Sequence, residues 1–191
     1  MAKVLTPAGK TTRGATVWLT GRPASGKTTI ATALEALLVD AGYAVARIDG
    51  DELRRTVCRD LGFSRADRAE NVRRAGACAL EAALAGQIAV ASLVSPYAAD
   101  RLVVRAAHEC EGVPFIEAHV DCPLAVAEAR DPKGLYRLAR AGEIAHFTGI
   151  DDPYEAPSAP EIVLETGRLT AAAAARRLFE HLQGSSSRHS E

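Results

Sequence analysis

The chain has 191 residues, a formal net charge of −1, and a composition that is 48% hydrophobic and 25% charged. This length suits one domain with a substantial core, and the near-neutral charge favours neither a nucleic-acid nor a membrane partner. No apolar run approaches the roughly 18 residues of a membrane span, and the four cysteines lack the spacing of a zinc site or a disulfide framework. We therefore expect a cytoplasmic protein with free thiols that binds neither nucleic acid nor membrane.

Strand and helix patterns alternate along the chain. Apolar runs predict strands at residues 16–20, 44–48, 88–94, 115–120 and 161–165. Periodic apolar faces and capping residues predict helices at residues 29–41, 64–85, 98–110, 123–129 and 170–183, with a short polar helix from Glu52. The alternation predicts a three-layer α/β/α fold with a parallel, doubly wound sheet of about five strands. We expect residues 1–14 to form a flexible arm, 15–183 a single domain and 184–191 a flexible tail.

A glycine-rich stretch links the first predicted strand to the helix that follows it. Residues 21–28 have the sequence Gly-Arg-Pro-Ala-Ser-Gly-Lys-Thr and match G-x-x-x-x-G-K-[ST] at every fixed position. Such a loop directs backbone N–H groups at one point, at the positive end of the helix dipole, where phosphate binds. Lys27 would contact the β- and γ-phosphates, and the Thr28 hydroxyl would ligate Mg²⁺. The motif therefore predicts a P-loop NTPase-type fold that binds a nucleoside triphosphate.

Polar residues follow other predicted strands, and in a doubly wound sheet ligands bind at this carboxyl edge. The second strand ends in Asp49-Gly50-Asp51 and the third in Ser95-Pro96-Tyr97. A carboxylate beside a phosphate loop can orient Mg²⁺-bound water or accept a proton from an attacking hydroxyl. A switch GTPase would need an N-K-x-D element, but the one asparagine of the chain, Asn71, is followed by Val72. The pattern favours a small-molecule kinase.

Several ordered motifs of the chain resemble those of the adenylylsulfate (APS) kinase family. They are Asp49-Gly50-Asp51 with Arg54, and residues 59–64, 67–74, 95–101, 130–144 and 147–155. The resemblance extends from about residue 15 to residue 182. It implies a kinase that uses Mg²⁺ and transfers the γ-phosphoryl group of ATP to the 3′-hydroxyl of adenosine 5′-phosphosulfate (APS). The products would be 3′-phosphoadenosine 5′-phosphosulfate (PAPS) and ADP, in sulfate assimilation. It also implies a homodimer and a functional link to ATP sulfurylase.

The resemblance assigns roles to residues along the carboxyl edge. The implied ATP contacts are Gly21, Ala24, Ser25, Gly26, Lys27, Thr28, Thr29 and Arg130. The implied substrate contacts are Asp51, Arg54, Phe63, Arg68, Asn71, Val94, Ser95, Lys133, Leu135 and Phe147. Lys27 and Asp51 would act in catalysis, with Asp51 nearest the attacking hydroxyl. Thr28 and Asp49 would hold the metal, although Asp49 and Asp51 could exchange roles.

Two aromatic and three polar side chains would recognise APS according to the resemblance. Phe63 and Phe147 would sandwich its adenine ring, although phenylalanines are more often ordinary core residues. Arg54, Arg68 and Asn71 would hold the phosphosulfate and the ribose, because guanidinium groups fit such oxygens with paired hydrogen bonds. An arginine on an exposed helix turn is more often only solvated, and the clustering of these residues favours the binding role.

The remaining roles concern the substrate loop and a lid. Ser95 would lie in a loop that contacts the substrate, and Arg101 is a weaker candidate for anion binding. Lys133 would belong to a mobile lid at about residues 130–150, which closes over both nucleotides and excludes water. The alternative for this basic stretch is a solvated helix. Arg130, at the base of the lid, would stack on the adenine of ATP.

Three stretches differ from the usual family pattern. Arg22-Pro23 replaces Leu-Ser, and residues 56–58 replace a stretch around His-Gly-Leu-Asn. The lid is less basic than usual at Leu138, Ala145 and His146. Two alternatives therefore stay open, namely a small-molecule kinase with another acceptor and a non-enzymatic nucleotide-binding protein. The P-loop lysine and threonine, together with Asp51, argue against the second.

Overall fold

The computed structural model describes residues 14–187. Residues 1–13 of the predicted arm and 188–191 of the predicted tail lie outside the described residues. Gly14 is buried, and its N–H donates to the Ala83 carbonyl across 3.2 Å, so it belongs to the folded body rather than to an arm. The last helix continues to Ser187, so the first part of the predicted tail is helical.

Five parallel strands form the central sheet and confirm the predicted fold class. The strands are β1 (Ala15–Thr20), β2 (Val45–Asp49), β3 (Ile88–Ser92), β4 (Phe115–Asp121) and β5 (Ile162–Glu165). Their order is β2-β3-β1-β4-β5, and each neighbouring pair is parallel. The middle strand, β1, is buried throughout because helices cover both faces of the sheet. All five carboxyl ends therefore meet at one edge, where the phosphate loop follows β1.

Helices pack on both faces of the sheet. They are α1 (Lys27–Asp40), α2 (Gly50–Arg55), α3 (Arg65–Leu84), α4 (Ala98–Cys110), α5 (Leu124–Arg130), α6 (Leu135–Arg140) and α7 (Ala171–Ser187). On one face α1 and α7 share a core that includes Leu34 and Leu178, and on the other α3 and α4 pack with Trp18. A Cβ built on Gly76 of α3 would lie 2.7 Å from the Val104 side chain, so a glycine permits the close crossing of α3 and α4. None of the helices between residues 14 and 187 combines the length and apolar character that a bilayer crossing requires.

Two short helices differ from what the sequence pattern predicted. Helix α2 begins at Gly50 rather than Glu52, because Asp49 caps it and accepts the Asp51 N–H across 2.9 Å. Helix α6 lies in a basic stretch whose weak apolar pattern favoured a lid and left a solvated helix as the alternative. A small separate cluster, which we call the lid core, packs around it. Its buried members are Cys122, Ala127, Tyr136, Ala139 and Phe147.

Candidate active site

The phosphate loop, residues 21–28, connects β1 to α1 through positions that favour glycine. A Cβ built on Gly21 would lie 2.6 Å from the Val120 carbonyl oxygen, which leaves room only for glycine. Gly26 has a φ of 98° and caps α1 without a side-chain hydrogen bond. The first turn of α1 contains no acidic side chain. Its N–H groups and dipole are therefore available to an anion, and the loop has the geometry of a phosphate-binding site.

Lys27 is folded back onto the phosphate loop. Its Nζ donates to the carbonyls of Gly21 (2.8 Å) and Arg22 (2.7 Å), and only 9% of the residue is exposed. Burial lowers the pKa of Lys27 to about 7, although the charges of Asp51 and Asp49 oppose the fall. A phosphate beside Nζ would supply further negative charge, so phosphate binding and protonation of Lys27 are coupled.

Asp49 joins β2 and β3 to the phosphate loop. Its Oδ2 accepts the hydroxyls of Thr28 (3.1 Å) and Ser92 (3.0 Å), and its Oδ1 accepts the Asp51 N–H (2.9 Å). Burial alone would raise the pKa of Asp49, but these hydrogen bonds outweigh it and hold the pKa below its usual range. Asp49 is therefore an ionised carboxylate in contact with the Thr28 hydroxyl.

The Thr28–Asp49 pair fits the way proteins hold Mg²⁺. This ion prefers oxygen ligands, keeps several waters, and usually binds through one or two protein groups together with substrate phosphates. Among residues 14–187 there is no cluster of three or more His, Cys, Asp or Glu side chains that could hold a metal by itself. A cation at this pair would therefore depend on the phosphates of a bound nucleotide.

Asp51 lies in the first turn of α2 and faces the turn between α5 and α6. Lys133, from the turn between α5 and α6, donates to Asp51 Oδ2. The two side chains are 54% and 55% exposed, so the pair remains open to solvent. Arg54 lies three residues further along α2, on the same face as Asp51. Helix α2 therefore carries a carboxylate and a guanidinium side by side next to the phosphate loop.

Arg54 and Phe63 form one wall of the site. The guanidinium carbon of Arg54 lies 4.3 Å from the Phe63 ring centroid, and its Nη1 donates to the Gly62 carbonyl (2.9 Å). Burial, and next the charge of Arg68, lower the pKa of Arg54. Phe63 is 59% exposed, which is high for an aromatic side chain. The wall therefore offers an open ring beside clustered cations, which suits a flat anionic ligand.

Arg68 connects this wall to residues 146–148. Its Nε donates to the Phe63 carbonyl (3.0 Å), its Nη1 to the Thr148 hydroxyl (3.0 Å) and its Nη2 to the His146 carbonyl. His146 and Thr148 flank Phe147 in the sequence. Through one guanidinium, the segment that carries Phe147 is therefore tied to the loop that carries Phe63.

Three of the predicted substrate contacts are buried, namely Phe147, Asn71 and, as described below, Ser95. Phe147 is 8% exposed and packs edge-on to Tyr136, with ring centroids 4.9 Å apart and 79° between the planes. In this conformation Phe147 belongs to the lid core and offers no open face comparable to that of Phe63. Asn71 is 7% exposed, and its Nδ2 has no hydrogen-bond partner within the described part of the chain. A buried amide without a hydrogen-bond partner costs free energy. A ligand acceptor beside Asn71 would satisfy its free Nδ2 donor and remove that cost.

The structure places Ser95 and Arg101 in the scaffold. The Ser95 Oγ accepts the Trp18 Nε1–H (3.1 Å) and donates to Thr20 Oγ1 (2.9 Å), and the residue is 3% exposed. Arg101, also 3% exposed, donates to the Glu117 carboxylate (2.7 Å) and to two main-chain carbonyls. The role of Arg101 in binding the substrate anion stays a prediction, and in this conformation its guanidinium is held inside the protein by these bonds. The Ser95 hydroxyl is likewise turned inward, so only its main chain can face a substrate.

Arg130 lies on the outer side of the phosphate loop, where its Nη1 is 4.0 Å from a Cβ built on Gly26. Its Nη2 donates to the Thr166 carbonyl (2.5 Å), and the Thr166 hydroxyl donates to the Ser25 carbonyl within the loop (2.9 Å). Sequence reasoning missed Thr166. Its position directly after the last strand could have indicated it, since that position belongs to the same carboxyl edge.

The remaining predicted contacts surround the same opening. Ala24 lies in the phosphate loop with a φ of 58°, and Thr29 is exposed in the first turn of α1. Val94 is half-buried, and its carbonyl accepts the Thr20 hydroxyl (2.8 Å). Leu135 is half-buried at the start of α6 and packs against the lid core.

A parallel sheet in this order, with a phosphate loop and two aspartates at its carboxyl edge, defines a P-loop kinase. The family model for adenylylsulphate kinase matches residues 13–165, and the chain belongs to that family of ATP-dependent phosphotransferases. The adenylyl-sulfate kinase of Saccharomyces cerevisiae is 50% identical over 169 residues, which cover 88% of this chain and 84% of the relative. That of Marinobacter nauticus is 47% identical over 176 residues, which cover 92% and 87%. The structure of the Mycobacterium tuberculosis APS kinase CysC in complex with AMPPNP and APS has a TM-score of 0.87 and 43% identity, covering 90% of this chain and 98% of that one.

Proposed function

We propose that this protein transfers the γ-phosphoryl group of ATP to the 3′-hydroxyl of APS and releases PAPS and ADP. The main observation behind this proposal is the position of helix α2, which joins the two halves of the site. Its six residues, at 1.5 Å per residue, make it about 9 Å long. Its N-cap, Asp49, contacts Thr28 of the phosphate loop, and its last turn holds Arg54 against Phe63. A phosphoryl donor bound on the phosphate loop and a phosphoryl acceptor bound at Phe63 would meet at Asp51. The relatives named adenylyl-sulfate kinase, and the M. tuberculosis complex with AMPPNP and APS, support this pair of substrates.

ATP would bind on the phosphate loop. The N–H groups of the loop and of the first turn of α1 hold the β- and γ-phosphates, and Lys27 turns from the loop carbonyls toward them. Thr28 and Asp49, which are hydrogen-bonded to each other here, would hold Mg²⁺ together with the nucleotide phosphates. When bound, the ion neutralises charge on the β- and γ-phosphate oxygens. Arg130, on the outer side of the loop, stacks on the adenine ring of ATP.

APS would bind on the wall formed by Arg54 and Phe63. Its adenine stacks on the exposed ring of Phe63, and Arg54 and Arg68 donate to the phosphosulfate oxygens. Arg54 now lies against the Phe63 ring at 4.3 Å, so it has to leave the ring for the anion when the base binds there. The unpartnered Asn71 amide supplies a further donor. Phe147 covers the second face of the base after it turns out of the lid core.

Asp51 would position the 3′-hydroxyl for in-line attack. The hydroxyl oxygen forms a bond to the γ-phosphorus while the bond to the oxygen bridging the β- and γ-phosphates breaks, and that oxygen leaves with ADP. The hydroxyl proton passes to the Asp51 carboxylate, whose base strength matters little because the transition state is loose. Lys133, which pairs with Asp51 here, would contact the transferred phosphoryl group. In this proposal residues 15–183 form the kinase domain, and residues 130–150 form a lid that excludes water.

Initial rates of ADP formation with APS and with AMP test the acceptor. AMP keeps the base, ribose and 5′-phosphate but lacks the sulfate, so losing contacts to Arg54 and Arg68 should lower its kcat/KM by roughly 10- to 100-fold. Arg54→Gln should reduce the preference for APS, whereas Arg177→Gln, an exposed site on α7, should keep it. Equal rates with AMP, or no ADP formation with APS, would contradict the proposed acceptor.

We also propose a cytoplasmic homodimer that is functionally linked to an ATP sulfurylase. The family resemblance supports the dimer and the link, and four free cysteines support a reducing compartment. The net charge of −1 favours neither nucleic acid nor membrane as a partner. Light scattering should give twice the chain mass of 20.1 kDa. A monomer mass, or a larger assembly, would contradict the dimer.

A further inference from the structure

Arg22, the second residue of the phosphate loop, has a side chain that the proposed phosphate contacts do not use. Its Nη1 donates to the Cys122 carbonyl just beyond β4 (3.2 Å). Its guanidinium carbon lies 5.6 Å from the Tyr154 ring centroid, and its Cδ lies 3.6 Å from a Cβ built on Gly149. Arg22 therefore occupies the space between the phosphate loop and the C-terminal part of the lid.

Tyr154 gives Arg22 a fixed surface to pack on. The Tyr154 hydroxyl is hydrogen-bonded to Thr20 Oγ1 at the end of β1 (3.1 Å). Its ring stacks on His119 of β4, with centroids 5.9 Å apart and 21° between the planes. Gly149, in contrast, belongs to the lid itself. Arg22 therefore bridges a residue anchored on the sheet edge and a residue of the lid.

The neighbouring residue of the loop contacts the other half of the lid. The Pro23 carbonyl accepts the hydroxyl of Tyr136, which lies on α6 (3.0 Å). Burial raises the pKa of Tyr136 to about 12, so this hydroxyl stays protonated and able to donate. Arg22 and Pro23 together therefore lie against both halves of the lid.

The main chain of Arg22 also responds to Lys27. Its carbonyl accepts Lys27 Nζ (2.7 Å) and the Ser25 N–H (3.3 Å). When Lys27 turns to the phosphates of a nucleotide, the Arg22 carbonyl loses its strongest partner. Any resulting change in residues 22–23 acts directly on the lid through the contacts described above.

We propose that Arg22 is a positioning residue that couples nucleotide binding on the phosphate loop to closure of the lid. The inference rests on the proposed function in taking ATP as the ligand of the loop and residues 130–150 as a lid that closes. A leucine at this position could neither donate to the Cys122 carbonyl nor place a cation over Tyr154.

Hydrogen exchange of the lid with and without a non-hydrolysable ATP analogue tests the coupling. Reporter amides exist in the lid, since the Gly149 N–H donates to the Asp152 carbonyl (2.7 Å) and the Ile150 N–H to the Phe147 carbonyl (3.0 Å). In the wild type the analogue should slow exchange at both the phosphate loop and these amides. In Arg22→Leu the loop should still be protected, while protection of the lid falls by roughly 2- to 30-fold. Arg177→Leu on α7 is the matched control and should behave as the wild type.

Arg22→Lys keeps a donor for the Cys122 carbonyl but loses the planar group over Tyr154, so its lid protection should lie between wild type and Arg22→Leu. It also decides the outcome if Arg22→Leu does not fold, because wild-type protection in Arg22→Lys would then overturn the inference. Kinetics add a second readout, in which Arg22→Leu lowers kcat and leaves the KM for ATP nearly unchanged. Full lid protection in Arg22→Leu, or equal losses at loop and lid, would overturn the coupling and leave the proposed function standing. A wild type that does not bind the analogue would overturn both.

Discussion

The Thr28 hydroxyl donates to the Asp49 carboxylate across 3.1 Å and joins the phosphate loop to the end of β2. Because β3 lies between β1 and β2, the contact bridges strands that are not neighbours in the sheet. Ser92, at the end of β3, donates to the same oxygen of Asp49 (3.0 Å) and completes the bridge. The hydroxyl and the carboxylate that we assign to Mg²⁺ are thus held together by the fold itself.

Asp49→Asn should weaken Mg²⁺ binding without unfolding the protein. The amide oxygen can still cap α2, but the charge that orders a metal-bound water is lost. We expect the Mg²⁺ concentration for half-maximal activity to rise by roughly 10- to 100-fold. The measurement is a Mg²⁺ titration of activity at fixed ATP, with Asp40→Asn at the far end of α1 as the control. An unchanged Mg²⁺ requirement in Asp49→Asn would remove Asp49 from the metal site.

Lys27 should take up a proton when a nucleotide binds. Its pKa is about 7 because burial disfavours the charged amine, and polyphosphate beside Nζ should raise it again. Binding at about pH 8 should therefore take up close to one proton, binding at about pH 6 almost none, and affinity should fall as the pH rises above about 7. Calorimetry in buffers of different ionisation enthalpy counts the protons. If Lys27→Met shows the same uptake as the wild type, another group is responsible.

Phe63→Ala and Phe147→Ala should differ in their effects on stability. Phe63 is exposed, so its loss should leave the melting temperature nearly unchanged and weaken APS binding by about 10- to 100-fold, the value of one stacking face. Phe147→Ala should also lower the melting temperature, because it removes a ring from the lid core. Calorimetric binding of APS and of ATP is measured for each variant, with Phe147→Leu as a control that fills the lid core. An equal loss of ATP affinity would show that the rings do not clamp APS.

Arg101→Met should destabilise the fold rather than impair substrate binding. It leaves the Glu117 carboxylate in the interior without its shortest ion pair, which costs about 3–5 kcal/mol in other proteins. We expect the lower end of this range, because Arg105 still lies 3.4 Å from Glu117. Denaturant unfolding measures the loss, and the KM for APS of the folded variant is the second readout. Unchanged stability together with a raised KM for APS would show that Arg101 binds the substrate.

The strand–loop–helix order around the phosphate loop was predictable because it depends on local pattern. The apolar run of β1, the glycines of the loop and the capping residues each indicate their own conformation. The placement of Asp49 beside Thr28 followed as well, since parallel strands bring their carboxyl ends to one edge. Sequence motifs alone did not decide between Asp49 and Asp51, whereas the hydrogen bond to Thr28 favours Asp49 at the metal.

Burial was the property that the sequence did not reveal. Arg101 and Arg68 both lie in polar helix turns, but tertiary packing encloses the first with Glu117 and leaves the second at the site. Tertiary packing also explains why the sequence left helix α6 only as an alternative. The helix is stabilised by contacts of Tyr136 with Phe147, and it has no apolar stripe of its own. The role of Thr166 depends on a contact to the phosphate loop across most of the chain.

The product formed from APS tests the central claim most directly. Phosphorus NMR identifies the position of the new phosphate, and 3′-deoxy-APS serves as the matched substrate without the attacking hydroxyl. We expect one ADP for each PAPS, with the phosphate on the 3′-oxygen, and no transfer to 3′-deoxy-APS. Asp51→Asn should lower kcat far more than it weakens binding of either nucleotide. A phosphate at another position, or transfer to 3′-deoxy-APS at the same rate, would contradict the account.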